Sequence, residues 1–154
     1  MMRPIRAAIA FAALEALALA APPDPVAWKV EAVPAKPVKA GARLTAKLTV
    51  EIQEGWHLYS MKEVPDGPIA TRIWIPQGQP LQLAGPIKAA PPQVIHDDSF
   101  NMEVEQYEGE AEFTLPLRAT AAADKLTVNV SYQSCNNRIC LPPKTVKVET
   151  ALAK

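Results

Sequence analysis

The sequence predicts an all-β fold in which antiparallel strands pack as a β-sandwich. Its best-patterned segments alternate apolar and polar residues with a period of two, which is the pattern of a strand with one buried face. Sixteen prolines among 154 residues argue against a helical body. Breaks that carry proline and glycine separate the patterned segments, as expected for short strands joined by turns.

The first twenty residues have the order of a secretory signal peptide. Two arginines precede an apolar run from Ala7 to Ala20, and cleavage is expected after Ala20, with Ala21 as the alternative. The run is shorter than the about 20 residues that span a bilayer comfortably, and it contains Glu15. We therefore expect residues 1–20 to be a signal peptide and residues 21–154 to form one exported domain with no stable membrane insertion.

The charge balance bears on two kinds of partner, nucleic acids and anionic membrane surfaces. Two of the 16 basic and one of the 16 acidic residues lie in residues 1–20, so 14 basic and 15 acidic residues remain. This near-neutral balance gives no basis for binding to nucleic acid or to an anionic membrane surface. The remaining length is enough for one hydrophobic core, so the fold does not need a disulfide. We expect a monomer.

Six segments carry the strand pattern. Their inward residues are Trp28, Val30 and Ala32; Ala42, Leu44, Ala46, Leu48, Val50 and Ile52; Ile69, Thr71, Ile73 and Ile75; Ala111, Phe113, Leu115 and Leu117; Leu126, Val128, Val130 and Tyr132; Val146 and Val148. Breaks between them are predicted at residues 65–68, 76–80, 85–92 and 119–124. Residues 95–109, with five acidic residues, are predicted to form a long loop, for which a solvated surface is the default role.

A pair of cysteines lies between the last two predicted strands. Cys135 and Cys140 flank the four-residue turn Asn-Asn-Arg-Ile, so a hairpin would bring their Cα atoms to roughly 5.5–6 Å and permit a disulfide. Closing so short a loop stabilises a fold by only about 2 kcal/mol. Pro142 and Pro143 leave this edge of the hairpin unpaired. The spacing alone leaves two roles open, a structural staple and a redox-active pair.

Metal binding is a third possibility. His57, His96, Met61 and Met102 are soft ligands that could join the cysteines around copper or zinc. The chain has no His-x-x-x-His pair and no second cysteine pair, and His57 lies in a strand-like segment where a backbone partner is expected for it. We therefore expect neither a metal nor a cofactor.

Four blocks of the sequence resemble, in the same order, the periplasmic N-terminal domain of DsbD, a membrane thiol:disulfide interchange protein. They are residues 55–60, 67–72, 96–100 and 132–145, and the last block, with both cysteines, is the most specific. The resemblance implies an immunoglobulin-like β-sandwich in the periplasm. It also implies that the cysteine pair receives reducing equivalents from a membrane electron carrier of the DsbD/CcdA type and passes them to thioredoxin-like periplasmic proteins.

The resemblance further assigns roles to single residues. Cys140 is expected to form the mixed disulfide with a partner, and Cys135 to resolve it. Phe100 takes the place of a cap that shields the pair, with Asp98 as a nearby acidic residue. We expect Asp97 and Asp98 to raise the thiol pKa by like-charge repulsion and Arg138 to act in the opposite sense.

The sequence departs from the family at three points. Four residues separate the cysteines where the best-known members have five, and Ser99 stands where a second carboxylate is expected. The chain ends at Lys154, so we expect the membrane carrier and the thioredoxin-like domain to be separate proteins. The expected activity is that of a component of a protein-disulfide reductase. The alternatives are a secreted binding module with a structural disulfide and a periplasmic copper-binding protein.

Overall fold

β-Strands account for the regular structure of residues 24–152, the part of the chain that the computed structural model describes. Within this range no helix is long and apolar enough to cross a membrane. The strands are β1 (Val26–Val33), β2 (Arg43–Ile52), β3 (His57–Tyr59), β4 (Arg72–Trp74), β5 (Leu81–Leu83), β6 (Lys88–Ala89), β7 (Gln93–Asp97), β8 (Met102–Tyr107), β9 (Glu110–Ala119), β10 (Lys125–Tyr132), β11 (Ser134–Cys135) and β12 (Lys144–Ala151). The predicted signal peptide, residues 1–20, lies outside the described residues.

Two antiparallel sheets form the layers of the sandwich. In the first sheet the strands follow the order β1, β2, β9, β5, and β6 also pairs with β9; in the second the order is β12, β10, β4. The longest ladder joins β2 to β9, from Arg43 opposite Arg118 to Glu51 opposite Glu110. These sheets confirm the predicted antiparallel β-sandwich.

The main core contains inward residues of both sheets. Side chains that the alternation predicted to face inward are almost completely buried, among them Leu48, Val50, Phe113, Leu115, Val128 and Val130. Burying one such side chain stabilises the fold by about 1.5–3 kcal/mol relative to leaving it in water. Neither cysteine belongs to this core. The main stabilisation of the domain is therefore independent of the disulfide.

A third antiparallel sheet carries the first cysteine. Its order is β11, β3, β8, β7, and Leu58 and Tyr107 on one face contribute to the main core. A separate group lies apart from that core, and we call it the cysteine cluster. Its buried members are Tyr59, Val104 and Cys135, and Ile95, Phe100 and Met102 pack against them.

Most of the acidic stretch 95–109 is a β-hairpin and not the long loop predicted from the sequence. Strands β7 and β8 pair with Ile95 opposite Val104 and Asp97 opposite Met102, and residues 98–101 form the turn between them. The prediction was wrong because inward positions of this hairpin include the polar residues Asp97 and Gln106, which break the apolar alternation.

Two other strand predictions differ from the structure. Ile69 is 45% exposed, and β4 is confined to three residues around the buried Ile73. The backbone amide of Thr71 donates to the carbonyl of Ser60 at 3.0 Å, and its hydroxyl donates to the carbonyl of Tyr59 at 2.7 Å. These bonds hold the segment before β4 against β3 instead of in a ladder. The predicted break at 85–92 contains the short strand β6.

Candidate functional site

Cys135 and Cys140 form a disulfide with an S–S distance of 2.05 Å and a Cα–Cα distance of 4.0 Å. The two residues face each other as an antiparallel bridge. Two backbone hydrogen bonds of 2.9 Å flank them, from Asn136 to Ile139 and from Leu141 to Ser134. This is the geometry of a non-hydrogen-bonded pair, in which opposite Cα atoms approach most closely, to about 4.5 Å. The cysteines are therefore nearer than the predicted 5.5–6 Å.

The turn between the cysteines is held by the side chain of Asn136. Its Oδ1 accepts hydrogen bonds from the backbone amides of Arg138 at 2.8 Å and Ile139 at 2.9 Å. An Asn side chain that bonds to the backbone two or three residues on is a common way to stabilise a turn. The bonds that shape this loop are thus distinct from the disulfide. The Arg138 side chain is exposed on the turn.

The two sulfur-bearing residues differ in access to solvent. Cys135 is 1% exposed because it ends β11, which pairs with β3, and packs in the cysteine cluster. Cys140 lies beyond the turn and is exposed. A large partner can therefore reach Cys140 and not Cys135.

A cleft of about 190 Å³ adjoins the disulfide. The residues that line it come from β3, from the β7–β8 hairpin and from the cysteine loop, and they are His57, Tyr59, Ile95, His96, Asp97, Asp98, Ser99, Cys135, Asn136, Asn137 and Cys140. Both predicted acidic residues thus lie at the same cleft as both cysteines. Arg138 is not among the lining residues.

Asp97 organises the turn that carries Phe100. Its Oδ1 accepts hydrogen bonds from the backbone amides of Ser99 at 2.8 Å and Phe100 at 3.4 Å, and its Oδ2 accepts one of 2.7 Å from the Tyr59 hydroxyl. Asn101 closes the turn with a φ of 51°, a left-handed conformation that Asn tolerates better than most residues. One carboxylate therefore fixes the turn and joins it to β3.

The two acidic residues have different surroundings. Asp97 is buried, with 8% of its surface exposed. Burial alone would raise the pKa of its carboxyl, but the hydrogen bonds from Tyr59, Ser99 and Phe100 outweigh burial and lower that pKa. The Asp98 side chain is fully exposed, and its Oδ1 lies 3.8 Å from Nε2 of His96. Asp97 is thus the buried negative charge of the cleft.

Phe100 is partly buried against the cysteine cluster, which contains Cys135. Its ring meets the ring of Tyr59 edge to face, with centroids 6.1 Å apart and planes at 89°. This is a favourable arrangement for two aromatic rings. Phe100 therefore packs against the cluster that contains Cys135, while Cys140 remains exposed.

His57 belongs to the site, although the sequence suggested only a backbone-bonded residue or a metal ligand. It stands directly opposite Cys135 in the ladder of β3 and β11, and its Nε2 lies 3.3 Å from the Tyr59 hydroxyl. Burial lowers the pKa of His57, and the charges of Asp97 and Glu108 act in the opposite sense. The period-two spacing of His57 and Tyr59 was the available signal that both lie on one face.

The four residues considered as soft metal ligands have separate surroundings. Met61 packs against the main core and Met102 against the cysteine cluster, while His57 and His96 line the cleft. In residues 24–152 no group of three or more His, Cys, Asp or Glu side chains is placed to hold a metal ion.

The family described as "Thiol:disulfide interchange protein DsbD, N-terminal" matches residues 25–152. The reduced DsbD N-terminal domain of Neisseria meningitidis superposes with a TM-score of 0.51 at 18% identity, covering 74% of this chain and 78% of that one. The N-terminal periplasmic domain of ScsB from Proteus mirabilis gives a TM-score of 0.51 at 16% identity, covering 75% of this chain and 44% of that one. No curated protein sequence matches. At these identities the two structures bear on the fold, which is immunoglobulin-like.

Proposed function

The chain belongs to the family of N-terminal domains of DsbD thiol:disulfide interchange proteins, and we propose that its Cys135–Cys140 pair relays reducing equivalents to disulfide-bonded proteins in the periplasm. The donor in this proposal is a membrane electron carrier of the DsbD/CcdA type, and the acceptors are thioredoxin-like proteins. The activity is that of a component of a protein-disulfide reductase. Residues 1–20 direct export, and residues 21–154 form the working domain.

The unequal exposure of the two cysteines is the observation that carries the proposal. Disulfide exchange requires in-line approach of a thiolate to a sulfur atom, so the accessible sulfur reacts with the partner. Cys140 is exposed and Cys135 is 1% exposed. In the reduced protein the Cys140 thiolate attacks the partner disulfide and forms a mixed disulfide. Cys135 then attacks Cys140, the Cys135–Cys140 bond forms, and the partner leaves as a dithiol.

The surroundings of the pair favour selective exchange over general reactivity. No helix among residues 24–152 supplies the macrodipole that activates a thioredoxin-type cysteine. The Asp97 carboxylate at the cleft disfavours a neighbouring thiolate, and the exposed Asp98 adds to this effect. Arg138 on the turn opposes both. The pair thus reacts slowly with small oxidants and faster with a docked partner that brings its own activated sulfur.

Phe100 is the cap in this proposal. Its packing against the cluster that contains Cys135 supports a shielding role. The Asp97 hydrogen bonds hold the cap turn in the closed position, and docking of a partner moves the turn away. The cap therefore limits the access of small oxidants to Cys135, while Cys140 stays open to a docked partner.

A redox titration tests the proposed function. The protein is equilibrated with glutathione buffers of increasing reducing power and with a thioredoxin-like protein, and free thiols are counted by alkylation and mass spectrometry. We expect a reversible two-electron transition in a folded protein. A pair that stays oxidised throughout would favour a binding module with a structural disulfide, whose potential lies below about −300 mV. Stoichiometric binding of Cu(I) to the reduced protein would favour the copper-binding alternative.

A further inference from the structure

Because Cys135 is buried, closure of the disulfide needs a nearby group that accepts the proton of its thiol. To close the disulfide, the Cys135 thiol must lose its proton, because the thiolate is the attacking species. Cys135 is 1% exposed, so bulk water has little access to that thiol. The acceptor must therefore come from the side chains that surround it.

Two of the polar neighbours are unsuited to this task. Asp97 already accepts hydrogen bonds from Tyr59, Ser99 and Phe100, which stabilise its charged form and make it a weak base. Burial and the hydrogen bond to Asp97 raise the pKa of the Tyr59 hydroxyl, which therefore stays protonated. An imidazole is the side chain whose ordinary range of titration suits proton transfer near neutral pH. Of the two histidines that line the cleft, His57 is the one that stands opposite Cys135.

The position of His57 is set by strand pairing. It lies opposite Cys135 in the antiparallel ladder of β3 and β11, so the two side chains project from the same face of the sheet. Cβ atoms of opposite residues lie about 4.5–5.5 Å apart in such ladders. Both residues line the same cleft.

The hydrogen bonds of Tyr59 determine the tautomer of the imidazole. The hydroxyl has one proton, and the 2.7 Å bond to Asp97 Oδ2 uses it. In the 3.3 Å contact with His57, the Tyr59 oxygen is therefore the acceptor and Nε2 is the donor. A neutral His57 with its proton on Nε2 has Nδ1 as its acceptor atom.

We propose that His57 takes the proton of Cys135 when the disulfide closes and returns it when the disulfide opens, with Tyr59 and Asp97 as the positioning residues that fix its tautomer. The inference rests on the proposed function, since it concerns the resolving step of that exchange. It assigns a role to a residue that the sequence had left as structural.

The step balances in both directions. On closing, the Cys135 proton passes to Nδ1 of His57, and the Cys135 thiolate attacks Sγ of Cys140. The Cys135–Cys140 bond forms as the bond from Cys140 to the partner breaks, and the partner leaves as a thiolate. The imidazolium then releases its proton to the cleft. On opening, His57 first takes up a proton from the cleft. A partner thiolate then attacks Cys140, the Cys135–Cys140 bond breaks, and Cys135 leaves as a thiolate that takes that proton from His57.

The charges around His57 suit a transient imidazolium. Asp97 at the end of β7 and Glu108 just beyond β8 both favour the protonated ring, while burial disfavours it. Cys135 faces His57 from β11, and His96 and Asp98 line the same cleft. Opposing effects of this kind leave a base that is neutral at rest and able to accept a proton.

The test uses one equivalent of the aromatic disulfide 5,5′-dithiobis(2-nitrobenzoate) on the fully reduced protein. The first thionitrobenzoate released reports attack by Cys140, and the second reports closure by Cys135. We expect His57→Gln to slow the second release about tenfold or more at pH 7 and to leave the first unchanged, since general-base assistance contributes at least that much. The difference should shrink well above pH 8.5, where an unassisted thiol ionises. His96→Gln is the matched control.

The rate of the second release decides between the possibilities. Equal rates and pH profiles of closure in wild-type protein and His57→Gln would overturn the proposal, whereas a wild-type protein that never releases the second equivalent would overturn the proposed function itself. If His57→Gln fails to fold by circular dichroism, Tyr59→Phe takes its place. Loss of the Nε2 acceptor should slow closure and move its pH dependence upward, and unchanged closure in that variant would count against the proposal.

Discussion

The Tyr59 hydroxyl donates a 2.7 Å hydrogen bond to Oδ2 of Asp97 and so joins the strand beside the cysteines to the turn that carries Phe100. The other carboxylate oxygen of Asp97 accepts hydrogen bonds from the backbone amides of Ser99 and Phe100, so the same carboxylate also stabilises the turn. Any change at Asp97 is expected to act both on the turn and on the charge at the cleft.

Phe100→Ala should speed alkylation and peroxide oxidation of the reduced protein several-fold. The ring packs against the cluster that contains Cys135, and thiolate fraction together with access sets the rate of such reactions. Iodoacetamide kinetics with mass spectrometry measure the effect. Val94→Ala on the same hairpin is the control because Val94 is 64% exposed. Equal alkylation rates in Phe100→Ala and wild-type protein would remove the shielding role.

Asp97→Asn should destabilise the domain by about 1–3 kcal/mol, because it disturbs a buried group with three hydrogen bonds. Asp98→Asn should leave the free energy of unfolding nearly unchanged, since the side chain is fully exposed. Urea unfolding at pH 7 compares the two. If Asp98→Asn proved the more damaging, the assignment of the turn anchor would be wrong.

The two variants should also differ in how their free energy of unfolding depends on pH below about pH 4. The pKa of Asp97 is lowered by folding, so its contribution is fully present above its unfolded pKa of about 3.9 and is lost as pH falls through the lower folded value. Asp97→Asn should flatten this part of the stability curve.

Asp98→Asn should lower the pH at which alkylation of the thiols accelerates. Superimposable alkylation profiles for Asp98→Asn and wild-type protein would mean that Asp98 does not influence the thiols.

A Cys135→Ala/Cys140→Ala variant should remain folded and lose no more than about 2 kcal/mol. The main core contains neither cysteine, and the turn keeps its backbone bonds and the Asn136 side-chain bonds. Far-UV circular dichroism and urea unfolding check this expectation. Loss of the β-sheet signal at room temperature would favour a structural staple.

Cys135→Ser should trap a partner as a mixed disulfide, and Cys140→Ser should not. The exposed Cys140 remains free to attack in the first variant, and the residue that resolves the complex is absent. Mass spectrometry of the complex with a thioredoxin-like protein identifies the linked cysteine. A partner linked through Cys135 would reverse the assignment of the two roles.

The sequence was informative where strands face the main core and uninformative where they face the cleft. The inward positions of β2, β9 and β10 carry only aliphatic and aromatic side chains, because these positions form the main core. In β7 and β8 the inward positions include Asp97 and Gln106, so the sequence does not show the alternation of apolar and polar residues that identifies a strand. The role of His57 depends on the register of β3 with β11, and no local pattern specifies which distant residue a strand will face.

The main core and the cysteine cluster share no side chain among the residues that the structure describes. Among the described residues, strand β7 is an edge strand that pairs only with β8. Its detachment from β8 would expose few apolar side chains. Native proteins open such edges in sub-global steps whose free energy is far below that of complete unfolding. The amide hydrogens of β7 should therefore exchange with deuterium well before those of β2 and β9. Access to Cys135 is then governed by a local equilibrium. A mutation that raises the melting temperature through the main core would leave that equilibrium unchanged.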